Sequence, residues 1–397
     1  AAILQSVLSA YIVFGFPGED ITRGPPLNAK KWKRIVSYMI RFLGYDINSR
    51  TMTVSWPQEK RLRLSKQLDL FFLAYDKAQP ISCRLIARLL GLVRNGGFVC
   101  PTGIFWSLRI QFSLNDAVRQ AALRSGRDFS KHARRFWASH CVPAKLCSEG
   151  AADLRILCGI LEPDREHSSY WERPIGLLIR RTPTFTWTGD ASYDGLGAWS
   201  KEYMLMWRIW KEDLTQLGFA MVLFTEPSEV DPIDALHINY LEFLVIILNT
   251  WIALKMCQLI DPLNLHHHIR LFLSDNTSAL SWMAHAARTK RPVVRRLARF
   301  LQALLTFTPS NFIYQNRHIP GVENETADIL SRPSRAATWE AAIVQRPDDL
   351  RKLRVCQLPR RLLSTLRRII DGTSTEDSSA QRMTELLTLE LRILPSG

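Results

Sequence analysis

After Pro183 the hydropathy of the chain switches repeatedly between two periods, and the order of the switches restricts it to layered α/β folds. Thr184-Phe185-Thr186-Trp187-Thr188 alternates polar and apolar, the period of a half-buried strand. Gly189-Asp190-Ala191-Ser192 reads as a break in that strand, and Gly197-Ala198-Trp199 resumes it as a hairpin partner would. Residues 238–256 form a strongly apolar helix, and Ile269 to Ser274 alternates again as a strand. Helical runs cover 277–287 and 293–306, Asn311 to Gln315 is a short strand, and Asn324 caps a last helix. The predicted order, β-β-(β)-α-β-α-α-β-α, is that of a mixed sheet with helices covering its faces.

The region before Pro183 has a different character. Lys30 to Arg41 carries Trp32, Ile35, Val36, Met39 and Ile40 at helical spacing, and two β-rich runs follow, Phe42–Ile47 and Thr51–Trp56, around Asn48-Ser49-Arg50. Pro57 starts a helix with Leu64, Leu68, Phe71, Phe72 and Tyr75 on one face. A second helix is capped by Ser82 and stopped by Asn95-Gly96-Gly97, and a third runs from Trp106 to Leu123. This middle region, to about residue 150, reads as all-helical and holds no cluster of catalytic residue types. Residues 335–397 are basic, with Arg360, Arg361, Arg367 and Arg368 beside Leu362, Leu363, Leu366 and Ile369, and read as helix plus a polar, poorly ordered end.

Composition narrows the partner. Among 397 residues, Lys and Arg total 52 against 37 Asp and Glu, a formal charge of +15. A field this positive attracts phosphate before contact, so a polyanion is the default partner. Apolar content of 47% excludes wholesale disorder, collagen and coiled coil. The seven cysteines include no C-x-x-C pair, which speaks against a disulfide framework and a standard zinc knuckle. His140, Cys141, Cys147 and Cys158 cluster loosely, but their spacing fits none of the usual structural zinc patterns. The first residue is Ala1 rather than Met, which suggests a piece of a longer polypeptide. Ala1 to Phe16 is apolar, but it lacks the basic flank of a signal peptide and the length of a bilayer span. No other run approaches transmembrane length, so an intracellular location, cytoplasmic or nuclear and away from membranes, is expected.

Four acids occupy positions that core packing would not choose. Asp190 ends the first strand of the α/β region, and Asp275 sits at the carboxyl end of Ile269–Ser274, where open α/β sheets place ligands. Glu242 lies beside the apolar stripe of Leu241, Leu244, Val245 and Leu248, where a carboxylate is costly unless a cation neutralises it. Asp328 opens a helix between apolar neighbours. Singly, each reads first as a cap, a turn residue or a surface acid. Together they suggest carboxylates converging on divalent metal, hard oxygen donors for a hard cation.

These residues match a known pattern. Thr188-Gly189-Asp190-Ala191-Ser192, Tyr240-Leu241-Glu242, Ser274-Asp275-Asn276 and the segment His318 to Arg332 (HIPGVENETADILSR) resemble type 1 ribonuclease H. The last segment looks especially like the version fused to retrotransposon reverse transcriptases. The resemblance covers roughly residues 180–334 and implies a ribonuclease H-like five-stranded mixed sheet with helices on both faces. It also implies hydrolysis of the RNA strand of an RNA–DNA hybrid with two Mg²⁺ ions, for which Mn²⁺ can substitute. Carried over by position, Asp190 would bridge both metals, Glu242 and Asp328 would hold one, and Asp275 would complete the set. His318 matches the family's loop histidine, which assists product release or proton transfer near the scissile phosphate. Asn324 matches its helix-capping Asn, and Asn239 resembles a residue contacting the hybrid backbone.

Charge distribution points to a nucleic-acid substrate independently. From Asn276 to Val322 there is no Asp or Glu, whereas Arg288, Lys290, Arg291, Arg295, Arg296, Arg299 and Arg317 all fall there. Cations to hold a phosphate backbone beside carboxylates to hold metal are what a phosphodiesterase needs. A solvated helix face is the ordinary alternative, although it would normally carry mixed signs.

The upstream part resembles the end of a reverse-transcriptase palm and its thumb. Phe42-Leu43-Gly44-Tyr45-Asp46-Ile47 followed by Met52 and Trp56-Pro57 is similar to the segment after the polymerase active site of DIRS-like or gypsy-like elements. No Tyr-x-Asp-Asp-like motif occurs, so the polymerase carboxylates are missing from this chain. The expected organisation is a palm end with hairpin (1–56), a helical thumb/connection (57–179), the ribonuclease H-like domain (180–334) and a basic helical tail (335–397). The implied partners are an RNA–DNA hybrid and the remaining parts of a retroelement polyprotein. The competing reading is a decayed element whose fold only binds nucleic acid. An integrase or transposase of the same superfold fits less well, since those need Glu on the last helix, where this chain has Asp328.

Overall fold

The computed structural model describes residues 38–125, 140–161, 171–175, 182–219, 237–260, 268–285, 291–306, 312–332, 352–373 and 380–394. The chain divides into two compact units, residues 1–40 and 41–397, and of the first only residues 38–40 are described. Strands β1 (Met39–Phe42), β2 (Tyr45–Asn48) and β3 (Thr53–Ser55) come first. The helix predicted over Lys30–Arg41 is therefore not helical at its carboxyl end, and residues 30–37 lie outside the described residues. The reason is the turn that follows: Leu43 and Gly44 both have positive φ, 49° and 84°, the primed geometry that closes a tight hairpin. The β2–β3 hairpin is antiparallel, as expected, with Ile47 opposite Val54.

Helices α1 (Gln58–Asp76), α2 (Cys83–Gly96) and α3 (Pro101–Ser125) form where periodicity places them, but the region is not all-helical, since strand β4 (Ile81–Ser82) precedes α2, and Ser82 makes no side-chain capping bond. Strand β5 (Cys141–Val142) pairs with β4, α4 (Ser148–Leu161) follows, and β6 (Glu172–Pro174) adds to β3. Trp56 ties hairpin to helices: its indole Nε1 donates to Asn95 Oδ1 at 2.9 Å and its ring lies 5.0 Å from that of Trp171.

The second layer begins with β7 (Phe185–Ser192), β8 (Gly195–Ser200), β9 (Leu205–Trp210) and α5 (Lys211–Gln216). It continues through α6 (His237–Ile260), β10 (His268–Ser274), α7 (Thr277–His285), α8 (Pro292–Thr306), β11 (Phe312–His318) and α9 (Glu325–Ser331). Strand β12 (Arg354–Gln357), α10 (Arg360–Asp371), α11 (Ala380–Thr388) and β13 (Arg392–Leu394) complete the order. The result is a mixed seven-stranded sheet, β11-β10-β7-β8-β9-β12-β13, in which β10 runs parallel to β7 and β11 while β8 is antiparallel to its neighbours. The sequence predicts five strands and a polar end; instead the C-terminal segment adds two strands, β12 parallel to β9 and β13 antiparallel to β12. Short runs such as Arg354–Gln357 give too little periodicity to be read as strands without a partner edge.

Strand β7 does not stop at Gly189. It continues to Ser192, with Asp190 opposite Gly197. Gly189 is there for close approach rather than as a breaker: a Cβ would lie 2.4 Å from Val245 Cγ1 on α6. On the other face, a Cβ at Gly197 would lie 2.4 Å from Leu330 Cβ, so α9 sits directly on β8. The two glycines bring helices onto both faces of the strand pair that carries Asp190.

Helix α6 extends to Ile260, and residues Ile238–Ile260 are long and apolar enough to cross a membrane by length and composition, contrary to the expectation that no such run exists. Its most apolar window is 72% buried inside the protein, against β7, β8 and β10, which accounts for that composition as core. The core is continuous from Leu64, Trp106 and Leu154 of the helical region to Trp187, Trp251 and Phe300 of the sheet region. Trp106 Nε1 donates to Thr306 Oγ1 at 3.0 Å within it. Residues 41–397 fall in one compact unit, and residues 179 and 334 lie outside the described residues.

Candidate metal centre

Three of the four singled-out acids meet. Asp190 from β7, Glu242 from the first turns of α6 and Asp275, immediately after β10, each offer a carboxylate oxygen, and these oxygens lie within 4.8 Å of one another. Asp190 and Glu242 are buried, at 4% and 3% exposure, whereas Asp275 opens toward solvent. Parallel pairing of β7 and β10 brings the first and third acids to one end of the sheet, and α6 delivers the second across it.

Each carboxylate is held by its surroundings. The Ala191 N–H donates to Glu242 Oε1 at 3.2 Å, and the Ser274 hydroxyl to Oε2 at 3.4 Å. The Ser331 hydroxyl lies 2.5 Å from Asp190 Oδ2 and donates to it, and Asn324 Nδ2 approaches Oδ1 at 3.4 Å. Burial pushes the Asp190 carboxyl up to about 7; the Ser331 hydroxyl opposes this, while the charges of Asp275 and Asp328 add to it. Glu242 is also raised well above the usual carboxylate range, by burial first and then by Asp190 and Asp275. Like charges in a buried site hold a proton or a cation. A set of oxygen donors of this kind suits a hard divalent ion.

Asp328 stands apart from the three. It lies on α9, outside the mutual 4.8 Å group, and pairs with Arg332 at 2.7 Å. Its charge nevertheless raises the Asp190 carboxyl. His318 ends β11, is exposed, and places Nε2 3.1 Å from the Asp275 carbonyl oxygen. Asn324 is the residue before α9, but its side chain makes no capping bond; Nδ2 serves Gly189 O and Asp190 instead, and the buried Oδ1 takes no hydrogen bond. Asn239 Oδ1 accepts from Asn276 Nδ2 at 2.6 Å, and Asn276 Oδ1 in turn accepts from the Ala279 N–H to cap α7.

The basic ridge is largely committed inside the molecule. Arg295 reaches Glu149 at 3.2 Å and Arg299 reaches Asp153 at 3.1 Å, both on α4. Arg296 donates to the carbonyls of Ile369, at 2.6 Å, and Ile370 at the end of α10. Arg291 meets the Tyr240 hydroxyl at 3.4 Å, and Arg288 and Lys290 lie outside the described residues. The lack of acids between Asn276 and Val322 concealed this, because the partners come from distant helices. The loose His140, Cys141, Cys147 and Cys158 set forms no ligand group among the described residues, and none of the seven cysteines is in a disulfide.

Ser331 and Ser274 are the site residues that sequence reasoning passed over. Ser331 was within reach, lying three positions after Asp328 and so on the same helix face. Ser274 directly precedes Asp275, and its hydroxyl reaches the same Glu242 carboxylate. A scan against protein-family models, a search of curated proteins and a search of solved structures each found no match to this chain.

Proposed function

We propose that residues 182–332 form a ribonuclease H-like domain that hydrolyses the RNA strand of RNA–DNA hybrids with divalent metal, within the C-terminal part of a retroelement reverse transcriptase. The observation that carries this reading is the convergence of Asp190, Glu242 and Asp275 to within 4.8 Å at one end of a mixed sheet. Strands β11-β10-β7-β8-β9, with α6 on one face and α9 on the other, agree with the five-stranded layer that the resemblance implies. The helical region α1–α4, which bears no acidic cluster among the described residues, fits a thumb or connection.

Mg²⁺ or Mn²⁺ bound by these carboxylates would supply the charge that activates water and stabilises the leaving oxygen. The chain's own residues prepare that site. Ala191 N–H and the Ser274 hydroxyl fix the Glu242 carboxylate, and Ser331 fixes Asp190, so oxygen donors are oriented before a cation arrives. Asp328 is close enough to add charge and is held back by Arg332. His318, exposed beside Asp275, has a ring nitrogen able to take or give a proton at the rim.

Incubation of the chain with a labelled RNA–DNA hybrid and Mg²⁺ tests the reading. RNA cleavage is expected, and Asp190→Asn or Asp275→Asn should lower it by about 10³-fold or more with the fold intact. A folded wild-type chain that binds hybrid but leaves the RNA whole would overturn the hydrolytic claim. The ion pair that holds Asp328 to Arg332 favours one competitor, a binding module that has lost catalysis. Calorimetric titration separates the two, since such a module would show no carboxylate-dependent affinity for Mg²⁺ or Mn²⁺.

A further inference from the structure

The two added strands extend the sheet away from the acids, and the register shows where they lead. Asp190 pairs with Gly197, and Gly197 pairs with Arg208. On the next strand Val355 lies beside Met206, and carrying that parallel register on by two residues sets Gln357 beside Arg208. Gln357 in turn pairs with Arg392. Asp190, Gly197, Arg208, Gln357 and Arg392 therefore form one cross-strand row, whose side chains share a face of the sheet. Burial agrees with this assignment: Met206, Trp199 and Val355, two residues back along the same face, form one apolar cluster with Leu330 of α9.

Helix α9 covers the Asp190 end of the row, and beyond it the face opens. Arg208 is half-buried, with its guanidinium 4.2 Å from the ring centre of Trp210 and within the field of Asp213, and Gln357 and Arg392 are exposed, which leaves Arg392 as the outward cation of the row. With strands about 4.8 Å apart, Arg392 lies ~19 Å from Asp190 along the row. A cationic line that starts at a carboxylate cluster, with an aromatic ring beside it, has the chemistry of a polynucleotide contact. Arginines neutralise successive phosphates, and a ring offers a face to a sugar or base.

We propose that this face is a phosphate-binding track, in which Arg208 and Arg392 hold the backbone of the same hybrid duplex whose RNA strand reaches the Asp190 cluster. The proposal rests on the hybrid reading for the identity of the duplex. It assigns to β12 and β13 a binding role, and it relocates the phosphate contacts from α8, whose arginines are engaged with Glu149, Asp153 and α10, to the far edge of the sheet.

The test measures binding of a labelled RNA–DNA hybrid to the full chain by fluorescence anisotropy in EDTA, across a range of salt concentrations. Arg392→Glu, a change at an exposed position, should weaken binding by about 5–10-fold at low salt and reduce the slope of log K against log salt by about 1. Arg354→Glu alters net charge equally, but at the opposite end and on the other face of β12, and should match wild type. Equal affinity and slope for Arg392→Glu and wild type, or equal weakening by both variants, would overturn the track. A wild-type chain that binds through Arg392 and leaves RNA uncut overturns the hydrolytic reading alone. One that cuts RNA with a KM indifferent to Arg392→Glu overturns the track alone.

Discussion

Asp153 and Asp190 are both buried acids, at 1% and 4% exposure, yet their neighbours act in opposite directions. Arg299 and Arg109 stand 3.1 and 3.4 Å from Asp153 and pull its carboxyl down against burial, leaving it at about 6. Around Asp190 the neighbouring acids push the same way as burial, and the carboxyl sits at about 7. The nearby cation, Arg332, is turned to Asp328. The first arrangement pairs an acid with two arginines and joins α3, α4 and α8. The second is a group of acids that could bind a metal ion, their carboxyls raised by burial and by one another. Burial raises both carboxyls, and the balance of charges around each sets how far.

The comparison can be broken at either centre. The largest effect is expected at Asp153: Asp153→Ala leaves Arg299 without its buried counter-charge and Arg109 with only Glu149, 3.1 Å away, and should destabilise the fold by about 3–5 kcal/mol, measured by urea unfolding. At Asp190 the sign should reverse. Its raised carboxyl favours the metal-free fold below the ordinary carboxylate range, and that contribution is lost as pH rises through about 7. Asp190→Asn should therefore stabilise the metal-free chain by about 2 kcal/mol above pH 7, with the gain fading toward pH 4. Thermal unfolding in EDTA across that range would show it, and a loss of stability at high pH would contradict the contrast. The smallest effect is expected at Ser331. Removing its hydroxyl, which donates to Asp190 Oδ2, should cost about 1 kcal/mol in the affinity for Mn²⁺, read by calorimetry.

Much of this was legible before any coordinates. The alternation from Thr184 to Thr188, the apolar run after residue 238 and the Pro57 and Gly97 signals place strands and helices correctly, because each depends on neighbours a few residues away. Asp190, Glu242 and Asp275 stand out for a similar reason: each is an acid where local pattern asks for an apolar residue or a strand end. Where local reading failed, the missing partner was remote. Gly189 looks like a breaker until Val245 is seen against it. Arg295 looks like a ligand for phosphate until Glu149, 146 residues earlier, is found beside it.

The sequence by itself determined the kinds of element, their order and the identity of the acids, since side-chain period and residue chemistry are written residue by residue. Only the tertiary structure decided which charges cancel. It assigned Arg299 to Asp153, gave Glu242 no cationic partner among the described residues, and carried the C-terminal segment back to the sheet edge beyond β9. The physical reason is that charge pairing and strand pairing act through space over a few ångströms, often between residues far apart along the chain, such as Glu149 and Arg295.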